Sequence, residues 1–298
     1  MTRAVVVINP LSGHGRYEQQ IHEHARLACD VLAGHHIEAT VRPTTKGGDA
    51  RAFAKEAADA GCELVVAWGG DGTVNEAAGA LVHTDVVLGI VPAGSGNGLA
   101  SDLGIPSDPH AALTLAAAGR TLAIDAGQVD DCLFFNIAGI GIDAVIAARF
   151  AERGLRRRGL AGYLTLSGAE LMRYRSQVYT LTLDGEPAEQ RAMLVAVANG
   201  RQYGNRLFIA PGAQLDDGLF EVVVVEELSL LAIAWRLPSL FRGTLQPGRG
   251  VSMTAAKTVR IKSSGPIPYH VDGEPRLGSD ELSIVIHPGA LRVRAPAR

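Results

Sequence analysis

Cysteine is scarce in this sequence: three residues in 298, at Cys29, Cys62 and Cys132. None forms a CxxC pair, which argues against both a zinc site and a disulfide framework. So sparse a set fits a reducing compartment. Long hydrophobic runs are missing too. The N-terminus offers only Ala4–Ile8, too short for the core of a signal peptide. No stretch approaches the roughly 18 apolar residues of a membrane span. A soluble, cytoplasmic protein is expected, with peripheral association at a membrane surface left open. A basic surplus is absent as well. The net charge is −3, which argues against a general nucleic-acid binder. There is no internal repeat and no low-complexity segment.

Glycine, by contrast, is abundant: 35 residues, well above the usual share of about 7%. That abundance points to tight turns or close backbone approaches. Apolar residues at 47% and charged residues at 20% allow a large buried core. At about 150 residues per domain, the length suggests two domains.

The first part alternates strand and helix patterns. Strands are predicted at Ala4–Ile8, Ile37–Val41, Glu63–Trp68 and Val86–Val91, and helices at Tyr17–Leu32, Asp49–Ala60 and Val74–Val82. Strands alternating with helices imply a parallel α/β sheet, which binds ligands at the C-terminal ends of its strands. From about Gly127 the pattern changes. Leu133–Ile137, Tyr179–Leu183, Met193–Ala198, Leu219–Val225, Thr258–Lys262 and Leu282–Ile286 read as short β-branched strands. Asp-Gly and Pro-Gly turns separate them, as in an antiparallel sandwich or barrel. Between them, Ile142–Arg175 and Leu228–Leu240 read as helical.

Three glycine loops each follow a predicted strand: NPLSGHG (Asn9–Gly15), GGDGTVNE (Gly69–Glu76) and PAGSGNGLA (Pro92–Ala100). Glycines let backbone N–H groups approach phosphate oxygens, and a following helix N-terminus adds partial positive charge. Tight turns alone explain one such loop well and three at matching strand ends poorly. The sequence has no GxxxxGK[ST], and its first βα unit carries no GxGxxG, so neither a P-loop nor a dinucleotide fingerprint accounts for the loops. Asp71 stands among the glycines of the second loop. A carboxylate there suits a magnesium network or a base for an attacking hydroxyl. It also suits an N-cap for the helix starting near Thr73, although the neighbouring glycines favour the functional reading.

Together these motifs resemble the catalytic region of the diacylglycerol kinase family, which includes bacterial lipid kinases, sphingosine kinases and ceramide kinases. TTKGGDA (Thr44–Ala50), FFNIAGIGIDA (Phe134–Ala144), IAPGAQLDDGLFEV (Ile209–Val222) and HVDGE (His270–Glu274) extend the resemblance, in order, over essentially the whole chain. It implies a Rossmann-like α/β nucleotide-binding domain over residues 1–127, followed by a β-sandwich lipid domain over residues 128–287. The tail from about residue 288 to 298 would return to the first domain. It places ATP against Asn9, Ser12, Gly13, Thr44, Gly69, Gly70, Asp71, Gly72, Thr73, Asn75 and Ser95. The implied reaction moves the γ-phosphoryl group of ATP to a lipid hydroxyl. The base would be Glu274 or Asp272 by likeness to bacterial members, or Asp71 by likeness to sphingosine kinases. A Mg2+ site would draw on Asp217 in the Asp216–Asp217 loop, with the carbonyls of Gln214 and Leu219. Both acidic segments also read as plain Asp-Gly turns. Many bacterial members carry an Asp where this chain has Gly98, which leaves sphingoid bases, ceramide and other lipid alcohols open as substrates.

Arg149–Arg175 holds seven basic and two acidic residues interleaved with apolar ones, on a chain that is acidic overall. That composition suits transient docking to an anionic membrane surface, and also a solvated helix face. The rival readings are a soluble-substrate kinase of the NAD kinase type and a non-catalytic lipid or nucleotide sensor. A homodimer is compatible with the sequence, and no nucleic-acid partner is expected.

Overall fold

The computed structural model describes residues 2–10, 17–152, 170–171, 173–204 and 206–297. Contacts divide the chain into two compact units, Met1–Ile124 with Gly289–Arg298, and Asp125–Pro288.

In the first unit, β1 (Thr2–Ile8), β2 (Ile37–Pro43), β3 (Leu64–Gly69), β4 (Val87–Pro92) and the end of β16 (Glu281–Ala295) lie in the order β2-β1-β3-β4-β16. Every pairing along that order is parallel. Such a sheet must be covered on both faces, and β3 is buried at each of its six positions. The chain runs leftward from β1 to β2 and then rightward to β3 and β4. Right-handed crossovers therefore put α1 (Tyr17–Gly34) opposite α2 (Asp49–Asp59) and α3 (Asp71–Leu81). Helix α2 turns Ala50, Ala54 and Ala57 inward, small enough for close packing on α3. Direction reverses between β1 and β3, the switch point at which open α/β sheets bind ligands. Two further helices follow, α4 (Gly98–Asp102) and α5 (Pro109–Ala118). The sequence pattern did not predict α5, although it carries a complete start signal: the Asp108 carboxylate accepts from the Ala111 amide at 2.8 Å, with Pro109 next.

The second unit contains an antiparallel sheet in the order β12-β11-β10-β7-β14-β15. Its strands are β7 (Ile137–Gly141), β10 (Leu194–Ala198), β11 (Phe220–Val225), β12 (Val251–Ala256), β14 (Pro268–Val271) and β15 (Glu274–Leu277). A second layer joins β9 (Glu186–Ala192), β8 (Gln177–Leu183), β13 (Thr258–Lys262) and the start of β16. Beside them, β5 (Arg120–Val129) pairs with β16 and β6 (Cys132–Phe134). Alternation along β10 shows the layering. Val195 and Val197 join the core with Tyr179, Phe220 and Ile261, while Ala196 and Ala198 meet Ile209, Ala210 and Leu245 on the other face. Two helices flank the sheets, α6 (Ile142–Glu152) and α7 (Leu230–Arg242).

One predicted strand divides. Leu133–Ile137 becomes β6 and β7, interrupted at Phe135–Asn136, because the amides there turn aside to a carboxylate from β14–β15. Of the helical stretch predicted over Ile142–Arg175, α6 is described, and residues 153–169 lie outside the described residues. Among the described residues no helix is long and apolar enough to cross a membrane.

Candidate functional site

In the first unit the ends of four parallel strands are tied together. The Asn9 amide donates to the Trp68 carbonyl at 2.9 Å, and its Nδ2 donates to Thr73 Oγ1 at 2.9 Å. The Thr44 amide donates to the Ile8 carbonyl, and the Ala93 amide to the Gly69 carbonyl. Glycine is obligatory at the closest approach: a Cβ on Gly94 would stand 2.6 Å from Gly70 Cα. A Cβ on Gly69 would strike the Thr73 side chain at 2.6 Å. Asn97 closes the third loop on itself. Its Oδ1 accepts from the Gly94 amide at 2.9 Å and its Nδ2 donates to the Gly94 carbonyl at 2.8 Å.

Asp71 is the first residue of α3, and Gly70 is its N-cap, so the carboxylate does not cap its own helix. Instead its two oxygens accept from the Asn97 amide at 2.8 Å and the Gly98 amide at 2.7 Å. Asp71 thus locks the second loop to the third. Glu76, quoted in the motif but given no role, receives the Gly48 amide at 2.9 Å and holds the loop after β2 against α3. In that loop, the Thr45 amide, then its hydroxyl, keep the Asp49 carboxyl below its ordinary range.

Asn9, Thr44, Gly69, Gly70, Asp71 and Thr73 therefore meet at one sheet edge. Gly72 and Asn75 lie in the first turns of α3, and Ser95 is exposed at the tip of the third loop. Ser12 and Gly13 lie outside the described residues. The N-termini of α2 and α3 open onto these loops, an arrangement that favours anions.

In the second unit, β14 and β15 form a hairpin whose two-residue turn is Asp272–Gly273, with φ of 48° and 84°. Both values are positive, as a type I′ turn requires. The Asp272 carboxylate accepts three amides: Phe135 at 2.9 Å, Asn136 at 2.9 Å and Ile137 at 3.0 Å. Glu274 opens β15 and is half-buried.

Behind the turn lies a buried pair that the sequence reading did not single out. His270 Nε2 and Asp143 Oδ2 are 2.7 Å apart, with His270 2% exposed. Burial pulls the imidazole down. The Asp143 carboxylate and, less, Asp272 more than offset it, so His270 sits above its ordinary value. Both residues stood inside quoted motifs. The available signal was Gly139, opposite His270 in the sheet: a Cβ there would stand 2.1 Å from Asp143 Oδ2 and 2.3 Å from His270 Nε2.

The Asp216–Asp217 loop is gripped from β5. Buried Asp125 donates its amide to the Leu215 carbonyl and accepts the Gly218 amide on Oδ2, both at 2.7 Å. Asp217 Oδ1 accepts from the Leu219 amide at 3.0 Å. Asp217, Leu219 and Glu221 border a cavity of about 100 Å³. Burial raises the Glu221 carboxyl, and the Asp217 charge adds to that rise. A cation would relieve such a pair. Among the described residues no three metal-ligating side chains cluster, so a cation here would need backbone carbonyls or water as well. Of the basic segment, Arg149 meets Glu170 at 3.6 Å, while Arg153–Arg158 lie outside the described residues.

Comparison with known proteins places these sites in context. Residues 3–129 match the diacylglycerol kinase catalytic domain, and residues 136–295 match the YegS C-terminal NAD kinase beta sandwich-like domain. The chain is 33% identical over 302 residues to a diacylglycerol kinase of Mycobacterium tuberculosis, covering 99% of this chain and 95% of that one. It is 33% identical over 268 residues to a probable lipid kinase YegS-like of Chromohalobacter salexigens, covering 89% and 85%. A crystal structure of a putative diacylglycerol kinase from Bacillus anthracis superimposes with a TM-score of 0.82 at 22% identity, over 98% of this chain and 95% of that one. That likeness concerns the fold.

Proposed function

Because the chain belongs to the diacylglycerol kinase family, with a YegS-type C-terminal domain, we propose that it transfers the γ-phosphoryl group of ATP to the hydroxyl of a lipid alcohol. The observation that carries this reading is the interlock of Asn9, Gly70, Asp71, Thr73 and Gly94 at the switch point of a parallel sheet. Backbone donors and two helix N-termini suit a polyphosphate there. Asn9, Thr44, Gly69, Gly70, Gly72, Thr73, Asn75 and Ser95 are its proposed binding residues, with Ser12 and Gly13 completing the first loop.

The lipid hydroxyl must lose its proton as its oxygen bonds to phosphorus and ADP departs. The acidic turn of the second unit supplies the base. Asp272 is pinned by its three amides, and Glu274, two residues on, opens β15. Asp71 orders the second and third loops and is proposed for the magnesium network or as the base itself. Asp217 and the carbonyls of Gln214 and Leu219 are the proposed holders of Mg2+, beside the carboxyl of Glu221. When bound, the ion neutralises phosphate charge. Gly98 starts α4, buried, with its amide on Asp71. A side chain is absent where many family members carry a carboxylate, so the lipid headgroup stays open. Transient contact with an anionic membrane, through the segment from Arg149 to Arg175, is the proposed route to substrate.

The test is transfer of radiolabel from γ-labelled ATP into chloroform-extractable lipid, with diacylglycerol, sphingosine, ceramide and a total lipid extract as acceptors. Magnesium-dependent labelling of at least one acceptor is expected, with none of NAD. Labelling of NAD without lipid would instead support a soluble-substrate kinase, and no transfer to any acceptor would sink the assignment.

A further inference from the structure

The buried pair behind the acidic turn has a geometry that assigns each ring nitrogen a separate task. His270 Nδ1 accepts the Gly273 amide at 3.2 Å, and Nε2 meets Asp143 Oδ2 at 2.7 Å. An amide N–H can only donate, so in the neutral ring Nδ1 is the unprotonated nitrogen. The proton is then on Nε2, where the Asp143 carboxylate accepts it. Asp143 lies in the first turn of α6, and Gly273 is the second residue of the β14–β15 turn. His270 therefore joins the start of a helix to the backbone between Asp272 and Glu274.

We propose that Asp143 and His270 are positioning residues that fix the Asp272–Gly273 turn, and with it the placement of the acidic groups, by holding one imidazole tautomer. His270 and Asp143 are 2% and 6% exposed, and the Tyr203 ring centroid lies 6.0 Å from that of the imidazole. What the pair acts on is local. Both central residues of the turn sit at positive φ, and Asp272 is a non-glycine residue there. An Asp-Gly pair suits such a turn, and its surroundings fix where it sits. The three amides on Asp272 hold one side of it, and His270 holds Gly273 on the other. Gly139 leaves the room both side chains need.

This inference rests on the reading of the acidic turn as the source of the base. It is separable from that reading because the tautomer can be observed without turnover. In the full chain labelled with nitrogen-15 histidine, in alkaline buffer, the His270 ring is expected to carry its proton on Nε2, the signal being assigned by its loss in His270→Asn. A proton on Nδ1 would overturn the proposal even if the enzyme is active.

Two substitutions then separate the nitrogens. Asn places an acceptor near the Nδ1 position, and Gln places a donor near Nε2. His270→Asn combined with Asp143→Asn, which discharges the buried partner, should keep kcat within about tenfold of wild type. His270→Gln should lower kcat about a hundredfold, the scale of a misplaced reacting group. KM for ATP should be unchanged in both. The reverse ranking, or equal losses in both that track thermal stability alone, would reduce the pair to a fold-stabilising contact and defeat the proposal. If wild type transfers no phosphate to any lipid, the function of the turn is wrong, while the ring-nitrogen spectrum still decides the clamp.

Discussion

Two aspartates from two motifs, one in each unit, behave alike and yet differ in degree. Asp71 accepts two amides from the loop after β4, and Asp272 accepts three from the junction between β6 and β7. In each case a motif carboxylate organises backbone that is remote in sequence. The contrast lies in what is organised. Asp71 joins two glycine loops that have other ties between them, including the Gly69–Ala93 hydrogen bond. Asp272 takes up three consecutive amides where a strand is interrupted. Motif residues in this fold hold the site together before any chemistry begins.

The comparison can be broken by direct measurement. Asp272→Asn leaves one oxygen for three amides and turns an NH2 group toward them. The urea midpoint should fall by the equivalent of about 3 kcal/mol, and lipid phosphorylation should be lost with it. Glu274→Gln should abolish phosphorylation at unchanged midpoint. Asp71→Asn removes one of two acceptors, so a smaller loss, about 2 kcal/mol, is expected by the same measurement. If Asp71→Asn costs more than Asp272→Asn, the ranking by amide count is wrong.

A third effect is smaller. His270 has its proton affinity raised in the folded state, above the ordinary 6.5. Its contribution to stability is therefore complete below pH 6.5 and is lost as pH rises through the higher folded value. Urea midpoints followed upward from pH 6 should decline for wild type, and the decline should vanish in His270→Asn. The smallest effect is expected for Glu76→Gln, about 0.5 kcal/mol, since its bond to the Gly48 amide is exposed. Its KM for ATP is the more sensitive readout of that loop.

Much of the first unit was legible because β1, β3 and β4 are interior strands. VVVI of β1 and LVVAW of β3 are continuous apolar runs that parallel sheets require. The strands that escaped notice include β9, β12 and β15, each at an edge of its sheet. EPAEQRA of β9 carries mostly exposed polar residues, as an edge tolerates, and so lacks strand periodicity. The glycine loops were visible as glycine after strand. Their mutual contacts were not, since Gly70 meets Gly94 and Asp71 meets Gly98 only through the parallel arrangement of β3 and β4. The Asp143–His270 pair spans 127 residues. Nothing local marks either member, and the one trace was a glycine that had to lack a side chain.

The last strand has a consequence for biosynthesis. Arg292 and Val293 of β16 lie beside Val87 and Leu88 of β4, and Ala290 receives the His83 amide at 2.8 Å. The amino-terminal unit thus needs residues made long after its own strands. Vectorial folding, in which an early module finishes before a later one is made, is unavailable to it. A nascent chain stalled short of residue 290 would display the open flank of β4, a place for chaperones to engage until the missing strand is made.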